Sequence, residues 1–318
     1  MRMTGMGPLT IILSAFIPIG FVVVLGVLAG RIDIIKSEAS SMLAVLVLEF
    51  CLPAELFNAM ATTSLKDLPD WQFFVATAIG LMGMSIVAYA AAVWLFKKPM
   101  NGAGLQTLNA AFPNIAFVGI PVILAVTGKS GMVFAVIAVI ISSLLQPPFA
   151  LTLLASGSAE QQGHKGFALL ARSLWGSMKL PVVWAPVLGV LFSMARLHLP
   201  HVAESSLGVI GSATNGVALF ALGLQLSGQK LRIGGAAVFN TVFKNVAQPL
   251  VMWLLALALG MSGEPMRVMI LLGAAPTASL NVMFALKYNV GLEETDATIL
   301  LSTVLSLVTV GVAIAVTA

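Results

Sequence analysis

Two stretches of this sequence gather polar residues around a proline deep inside an apolar run. One is Asn109 to Asn114 about Pro113, and the other runs from Pro276 through Thr277 and Ser279 to Asn281. Asn109, Asn114, Thr277, Ser279 and Asn281 are neutral hydrogen-bonding groups. Together they can hold a carboxylate without a second full charge having to leave water. Proline lacks an N–H and its ring clashes with the preceding turn, so it interrupts a helix. It is also well suited to the first turn of a new helix. Pro113 and Pro276 are therefore expected each to begin a second half-helix, whose free N–H groups carry partial positive charge and favour anions. If the breaks meet, two such termini face one small volume. For each polar residue taken alone, tying up backbone released by the proline remains the alternative.

Charged groups inside apolar spans are costly and point to function by default. Glu49 falls near the middle of the second span, and Glu55 lies further along it. Lys244 sits deep in the eighth, in Phe243-Lys244-Asn245-Val246-Ala247-Gln248-Pro249. Glu49 is the candidate for proton coupling or gating, and Lys244 for drawing anions inward. A structural ion pair between the two, or a snorkelling lysine, is the competing account. Pro53, and the stretch Thr214-Asn215-Gly216, read as kinks that border the site or as simple bends. No catalytic constellation emerges. His164, His198 and His201 all fall in loops, and no zinc, nucleophile-elbow or phosphate-loop motif has a usable context. The expectation is no enzyme, no metal site and no cofactor, with coupling to protons or sodium left open.

These residues must be positioned by membrane spans. The 318 residues are 59% hydrophobic and 9% charged, with mean hydropathy +1.04. Soluble domains carry roughly 25% charged residues, so this surface suits a bilayer. The scattered net charge of +4 indicates no nucleic-acid partner. Cys51, alone of its kind, cannot form an intrachain disulfide and reads as a buried hydrophobe. No cleavable signal peptide is evident. A span needs about 20 apolar residues. Ten stretches qualify: 9–30, 39–61, 71–96, 102–127, 130–155, 177–196, 205–227, 235–260, 265–288 and 296–317. Alternate loops hold Arg31, Lys36, Lys97, Lys98, Lys165, Arg172, Lys179, Lys230, Arg232 and Lys287 on one side, against Arg2, Lys66, Lys129, Arg196 and Arg267 on the other. The richer side is expected to be cytoplasmic, placing both termini outside.

An internal repeat accompanies the spans. At an offset of 163 residues Pro18 meets Pro181, Leu25-Gly26-Val27-Leu28 meets Leu188-Gly189-Val190-Leu191, Leu56-Phe57 meets Leu219-Phe220, and Pro113 meets Pro276. Five spans per half force the halves into opposite orientations. The expected fold is all-α and membrane-integral: ten transmembrane helices in two inverted five-helix repeats, with the fourth and ninth broken and crossing. The repeats would be residues 1–155 and 177–318, joined by a cytoplasmic linker over 156–176.

Phe112-Pro113-Asn114-Ile115-Ala116-Phe117-Val118-Gly119-Ile120-Pro121 resembles the Leu-Pro-Asn-x-x-x-x-Gly-Ile-Pro motif of the auxin efflux carrier family. Phe284-Ala285-Leu286-Lys287-Tyr288-Asn289-Val290 resembles that family's Phe-Ala-x-x-Tyr-Asn-Val. Leu52-Pro53-Ala54-Glu55-Leu56-Phe57, the stretch Lys179 to Val190, and Lys244-Asn245 with Gln248-Pro249 are similar to its bacterial malonate-carrier branch. The resemblance implies a scaffold part and a transport part. Small organic anions would bind where the broken helices cross, and Pro113, Asn114 and Pro276 carry over by motif. Thr277 stands where plant carriers usually have glutamine, and the central loop is short. The resemblance therefore implies a malonate-like dicarboxylate carrier of the bacterial inner membrane, with a homodimer expected from the plant carriers. A sodium symporter of the bile-acid type and an auxin-like monocarboxylate exporter are the alternatives.

Overall fold

The computed structural model describes residues 8–62, 70–155, 175, 179, 181–228 and 233–317. These are helical throughout: α1 (Pro8–Arg31), α2 (Ala39–Ala61), α3 (Trp71–Trp94), α4 (Met100–Ala111), α5 (Ile115–Thr127), α6 (Lys129–Ala155), α7 (Pro181–Met194), α8 (His201–Ser227), α9 (Gly235–Ala258), α10 (Gly263–Ala274), α11 (Asn281–Tyr288) and α12 (Leu292–Thr317). Helix occupies every apolar stretch read from the sequence. The stretches around Pro113 and Pro276 are each split in two, as α4–α5 and α10–α11. Six helices, α2, α3, α6, α8, α9 and α12, are long and apolar enough to cross a bilayer. Of the linker expected over 156–176, all but Trp175 lies outside the described residues.

Three helices widen for one turn, at Val47–Cys51, Ile115–Gly119 and Phe243–Ala247. Each widening is followed two residues later by Pro53, Pro121 or Pro249. A proline ring excludes the carbonyl four residues before it. The helix accommodates this by bonding across five, as Leu52 N does to Val47 O, Ile120 N to Ile115 O, and Gln248 N to Phe243 O. In α9 the widened turn contains both Lys244 and Asn245, and both are completely buried.

The helices sort into two packing groups. α1 lies along α8, and α2 lies along α7 and α8. α3, α4 and α6 pack together, and α9 joins them to α10 and α12. Two close approaches hold the first group. A β-carbon on Gly26 would come within 2.2 Å of the Phe220 carbonyl oxygen, and one on Gly189 within 2.7 Å of the Phe57 carbonyl oxygen. Only glycine lets backbones come so near.

Candidate functional site

The residue before a proline is pushed out of the helical region into extended conformation. Phe112 accordingly adopts φ −88° and ψ 108°, and Ala275 φ −57° and ψ 145°. The two extended segments meet. Pro113 and Thr277 form an isolated antiparallel bridge. Asn114 N donates to Pro276 O at 2.7 Å, and Ala278 N donates to Phe112 O at 2.9 Å. This corrects one expectation. The prolines do not open the second half-helices; α5 begins at Ile115 and α11 at Asn281. The prolines lie in the extended crossing itself, where their missing N–H groups cost no ladder bond.

The pairing decides which amides remain available to a guest. In a continuous helix Phe112 O would accept from Ala116 N, and Pro276 O from Leu280 N. Both carbonyls are diverted across the crossing. The amides of Ala116 and Leu280 are thereby released, one on each side, at the positive starts of α5 and α11.

The C-terminal ends of the other two half-helices also reach the crossing, with exposed carbonyls and negative partial charge. Each is capped. Ala111 O, ending α4, accepts from Gln146 Nε2 at 2.8 Å and Gln248 Nε2 at 3.1 Å. Gly273 O and Ala275 O, ending α10, accept from Lys244 Nζ at 2.8 and 2.6 Å. Lys244 is thus placed at the crossing as an amine donor bound to two main-chain oxygens. Among the described residues the ion pair joins Lys98 to Glu294, and no acidic side chain is bonded to Lys244.

The polar residues singled out from the sequence are all buried: Asn109, Asn114, Thr277, Ser279 and Asn281. They divide by what they touch. Thr277 Oγ1 donates to Asn109 O at 2.8 Å, and Thr277 N donates to Ser302 Oγ at 2.8 Å. Asn281 Nδ2 donates to Asn109 Oδ1 at 3.2 Å, while Asn109 Nδ2 donates to Thr295 Oγ1 at 2.9 Å. Asn109 and Thr277 are therefore consumed in fastening α4 to the α10–α11 break and to α12. Asn114 differs: its Nδ2 is buried with no acceptor. Glu49 is not brought to this cluster; it lies on the exposed side of the widened turn of α2. Glu55 is half-buried, with its backbone 3.1 Å from a β-carbon built on Gly211.

Gln146, Gln248, Ser302, Asn245 and Thr295 belong to the site although sequence reasoning did not select them. Asn245 Nδ2 donates to Ser302 O at 3.0 Å, and Ser302 Oγ donates to Asn245 Oδ1 at 2.5 Å, which orients the serine beneath Thr277. The presence of a glutamine or an asparagine in an apolar span was the available signal. The crossing gathers groups suited to a small anion: two released amides, the unpartnered carboxamide N–H₂ of Asn114 and the amine of Lys244, to which no carboxylate is bonded among the described residues.

A family model described as membrane transport protein matches residues 11–314. The Escherichia coli (strain K12) "Uncharacterized transporter YfdV" is 29% identical over 286 residues, spanning 89% of this chain and 90% of that one. A Rhizobium meliloti protein named "Putative malonate transporter" is 25% identical over 298 residues, 92% of each. "Auxin efflux carrier component 5" of Arabidopsis thaliana is 26% identical over 153 residues, 46% of this chain and 44% of the plant protein.

Proposed function

The chain belongs to the membrane transport protein family, and from that premise we propose that it carries small organic anions, malonate-like dicarboxylates first among them, across the bacterial inner membrane by alternating access. The observation that carries the substrate class is Asn114. Its carboxamide N–H₂ is buried beside two released main-chain amides and has no acceptor within the protein. A buried donor left unmade costs about 1–3 kcal/mol. A carboxylate at this point relieves that cost and is drawn by the half-helix starts and by Lys244. The Rhizobium relative's name supports malonate as the first acid to test.

The helix groups supply the moving parts. α1, α2, α7 and α8 act as the scaffold, and the group containing the crossing shifts against it. Support for inverted repeats comes from a reciprocal contact. Gly26 faces Phe220, and Gly189 faces Phe57. At the 163-residue offset Gly26 corresponds to Gly189 and Phe57 to Phe220, so the two contacts exchange under one two-fold relation. The Lys98 end of the bundle is the cytoplasmic one in this reading, both termini lie outside, and the scaffold face serves a homodimer. Sodium is not the favoured coupling ion, because the oxygens of Gly273 and Ala275, suited to a cation, already hold Lys244. Protons are the favoured alternative.

Uptake of radiolabelled malonate into vesicles, with sodium replaced by choline in one arm, tests the reading. Wild type accumulates malonate in both media, and Asn114→Ala does not. Equal accumulation by Asn114→Ala removes the crossing as the site. Accumulation of no mono- or dicarboxylate removes the substrate class.

A further inference from the structure

The start of α4, the turn between α11 and α12, and the first turn of α12 border a half-open cavity of about 370 Å³. Lys98, Asn101, Leu105, Gln106, Val290 and Glu294 are among its walls. Lys98 and Glu294 pair at its mouth, each side chain 21% exposed. At its floor lies Gln106, which is 0% exposed, and neither its Oε1 nor its Nε2 has a partner. Two unmade hydrogen bonds on one buried side chain are a standing cost that a bound guest relieves. One turn further along the same helix, Asn109 has both ends of its amide engaged. The fold can therefore satisfy an amide in α4, and at Gln106 it does not.

The chemistry around Gln106 names what fits. Its side chain calls for an acceptor and a donor at once, which a hydroxyl or an un-ionised carboxyl provides. The Met100 and Asn101 amides open α4 and have no carbonyl one turn behind them in the helix. These amides favour a negative group, and Lys98 joins them when a guest carboxylate takes the place of Glu294 on its ammonium. Since one water takes about 30 Å³ of liquid, the space accommodates a four-carbon acid with some solvent.

We propose that this cavity is a second binding site for a small hydroxy acid or partly protonated dicarboxylate. Its carboxylate lies against Lys98 and the start of α4, and its hydroxyl or second carboxyl exchanges hydrogen bonds with Gln106. The site rests on the reading of the chain as an organic-anion carrier and would fill from the charged end of the bundle, independently of the crossing.

Calorimetric titration of the purified full-length protein with malate, which carries two carboxyls and a hydroxyl, tests it. Wild type binds two equivalents. Gln106→Met and Asn114→Ala each bind one, and the double variant binds none. At a pH where both its carboxyls are ionised, succinate offers Gln106 no donor and binds the cavity about tenfold more weakly than malate, the loss of one hydrogen bond's worth of free energy. Lys98→Gln weakens the same event and leaves the crossing event in place. Gln106→Met also removes two unpaired polar atoms, so the ligand-free variant melts no lower than wild type. A lower melting temperature would show that trapped water satisfies Gln106 and would overturn the proposal. Unchanged stoichiometry in Gln106→Met overturns the cavity site and leaves the crossing standing. Loss of an equivalent in Gln106→Met but not in Asn114→Ala supports the cavity and overturns the crossing. Absence of malate binding to wild type overturns the cavity site, and malonate uptake then judges the crossing separately.

Discussion

Gly26 lies so close to Phe220 that a β-carbon on the glycine would stand 2.2 Å from the phenylalanine's carbonyl oxygen. The obstacle is main chain, which cannot rotate aside as a side chain can. Gly26→Ala must therefore push α1 away from α8, and overpacking of this kind typically costs about 1–3 kcal/mol. Gly189→Ala meets the Phe57 carbonyl at 2.7 Å and should cost somewhat less. Gly20 has nothing within 4 Å of its added carbon, and Gly20→Ala serves as the control. Thermal unfolding in detergent should rank wild type and Gly20→Ala together, then Gly189→Ala, then Gly26→Ala. A Gly26→Ala protein that melts like the control would show that the scaffold helices are not held by this contact.

Lys244 and Gln248 do the same job on opposite half-helices, one with an amine and one with a carboxamide. Lys244 Nζ caps the end of α10, and Gln248 Nε2 shares the capping of α4. Lys244→Met leaves Gly273 O and Ala275 O unpaired, each at about 1–3 kcal/mol, partly offset because a buried amine no longer has to be kept from water. Lys244→Gln can restore one of those bonds. We expect Lys244→Met to melt lower than Lys244→Gln, and both to lose malonate uptake, because neither keeps an amine that can take up a proton as the anion arrives. Full uptake by Lys244→Gln would reduce the lysine to a cap.

Asn114 separates hydrogen bonding from charge. Asn114→Asp keeps the size and an oxygen but replaces the N–H₂ with negative charge. Two like charges about 4 Å apart at an effective dielectric of about 20 repel by about 4 kcal/mol. Asn114→Asp should therefore bind malonate far more weakly than Asn114→Ala, which merely lacks the donor. Competition binding to protein in detergent measures both. Equal loss in the two variants would place the carboxylate elsewhere.

Much of this was legible because proline's missing N–H acts regardless of surroundings. The breaks at Pro113 and Pro276 could be read directly, and so could the apolar stretches that carry helix. The start of the second half-helices could not. Asn114 and Pro276 are joined by a bond across 162 residues of chain, and local propensity holds no trace of it. The type of Lys244 was legible, but its partners were not, since they are main-chain carbonyls freed by a break in another helix. The same holds for Gln146 and Gln248, whose shared partner is the Ala111 carbonyl at the end of another helix. Glu49 shows the opposite difficulty. In helices apolar all round, little contrast distinguishes the inward face from the outward one, and a mid-span carboxylate that looked central stands on the exposed side of α2.

The Ala111 carbonyl offers the sharpest test of how the crossing is held. It accepts from two glutamines, Gln146 on α6 and Gln248 on α9. A carbonyl oxygen has two lone pairs, so losing one donor leaves it bonded, and losing both leaves it orphaned. Gln248→Leu and Gln146→Leu should each be tolerated at this oxygen, at about 0.5–1.5 kcal/mol for a lost neutral bond. The double variant should cost more than the sum of the singles, because the unpaired carbonyl appears only then. Gln146 also donates to Ser85 Oγ at 3.0 Å and accepts from Ser142 Oγ at 2.7 Å, so its single variant should be the more damaging of the two. A double-mutant cycle on melting temperature, repeated for malonate uptake, reads the coupling. Additive losses would mean that each glutamine acts through its other contacts, and that the end of α4 at the crossing does not depend on them.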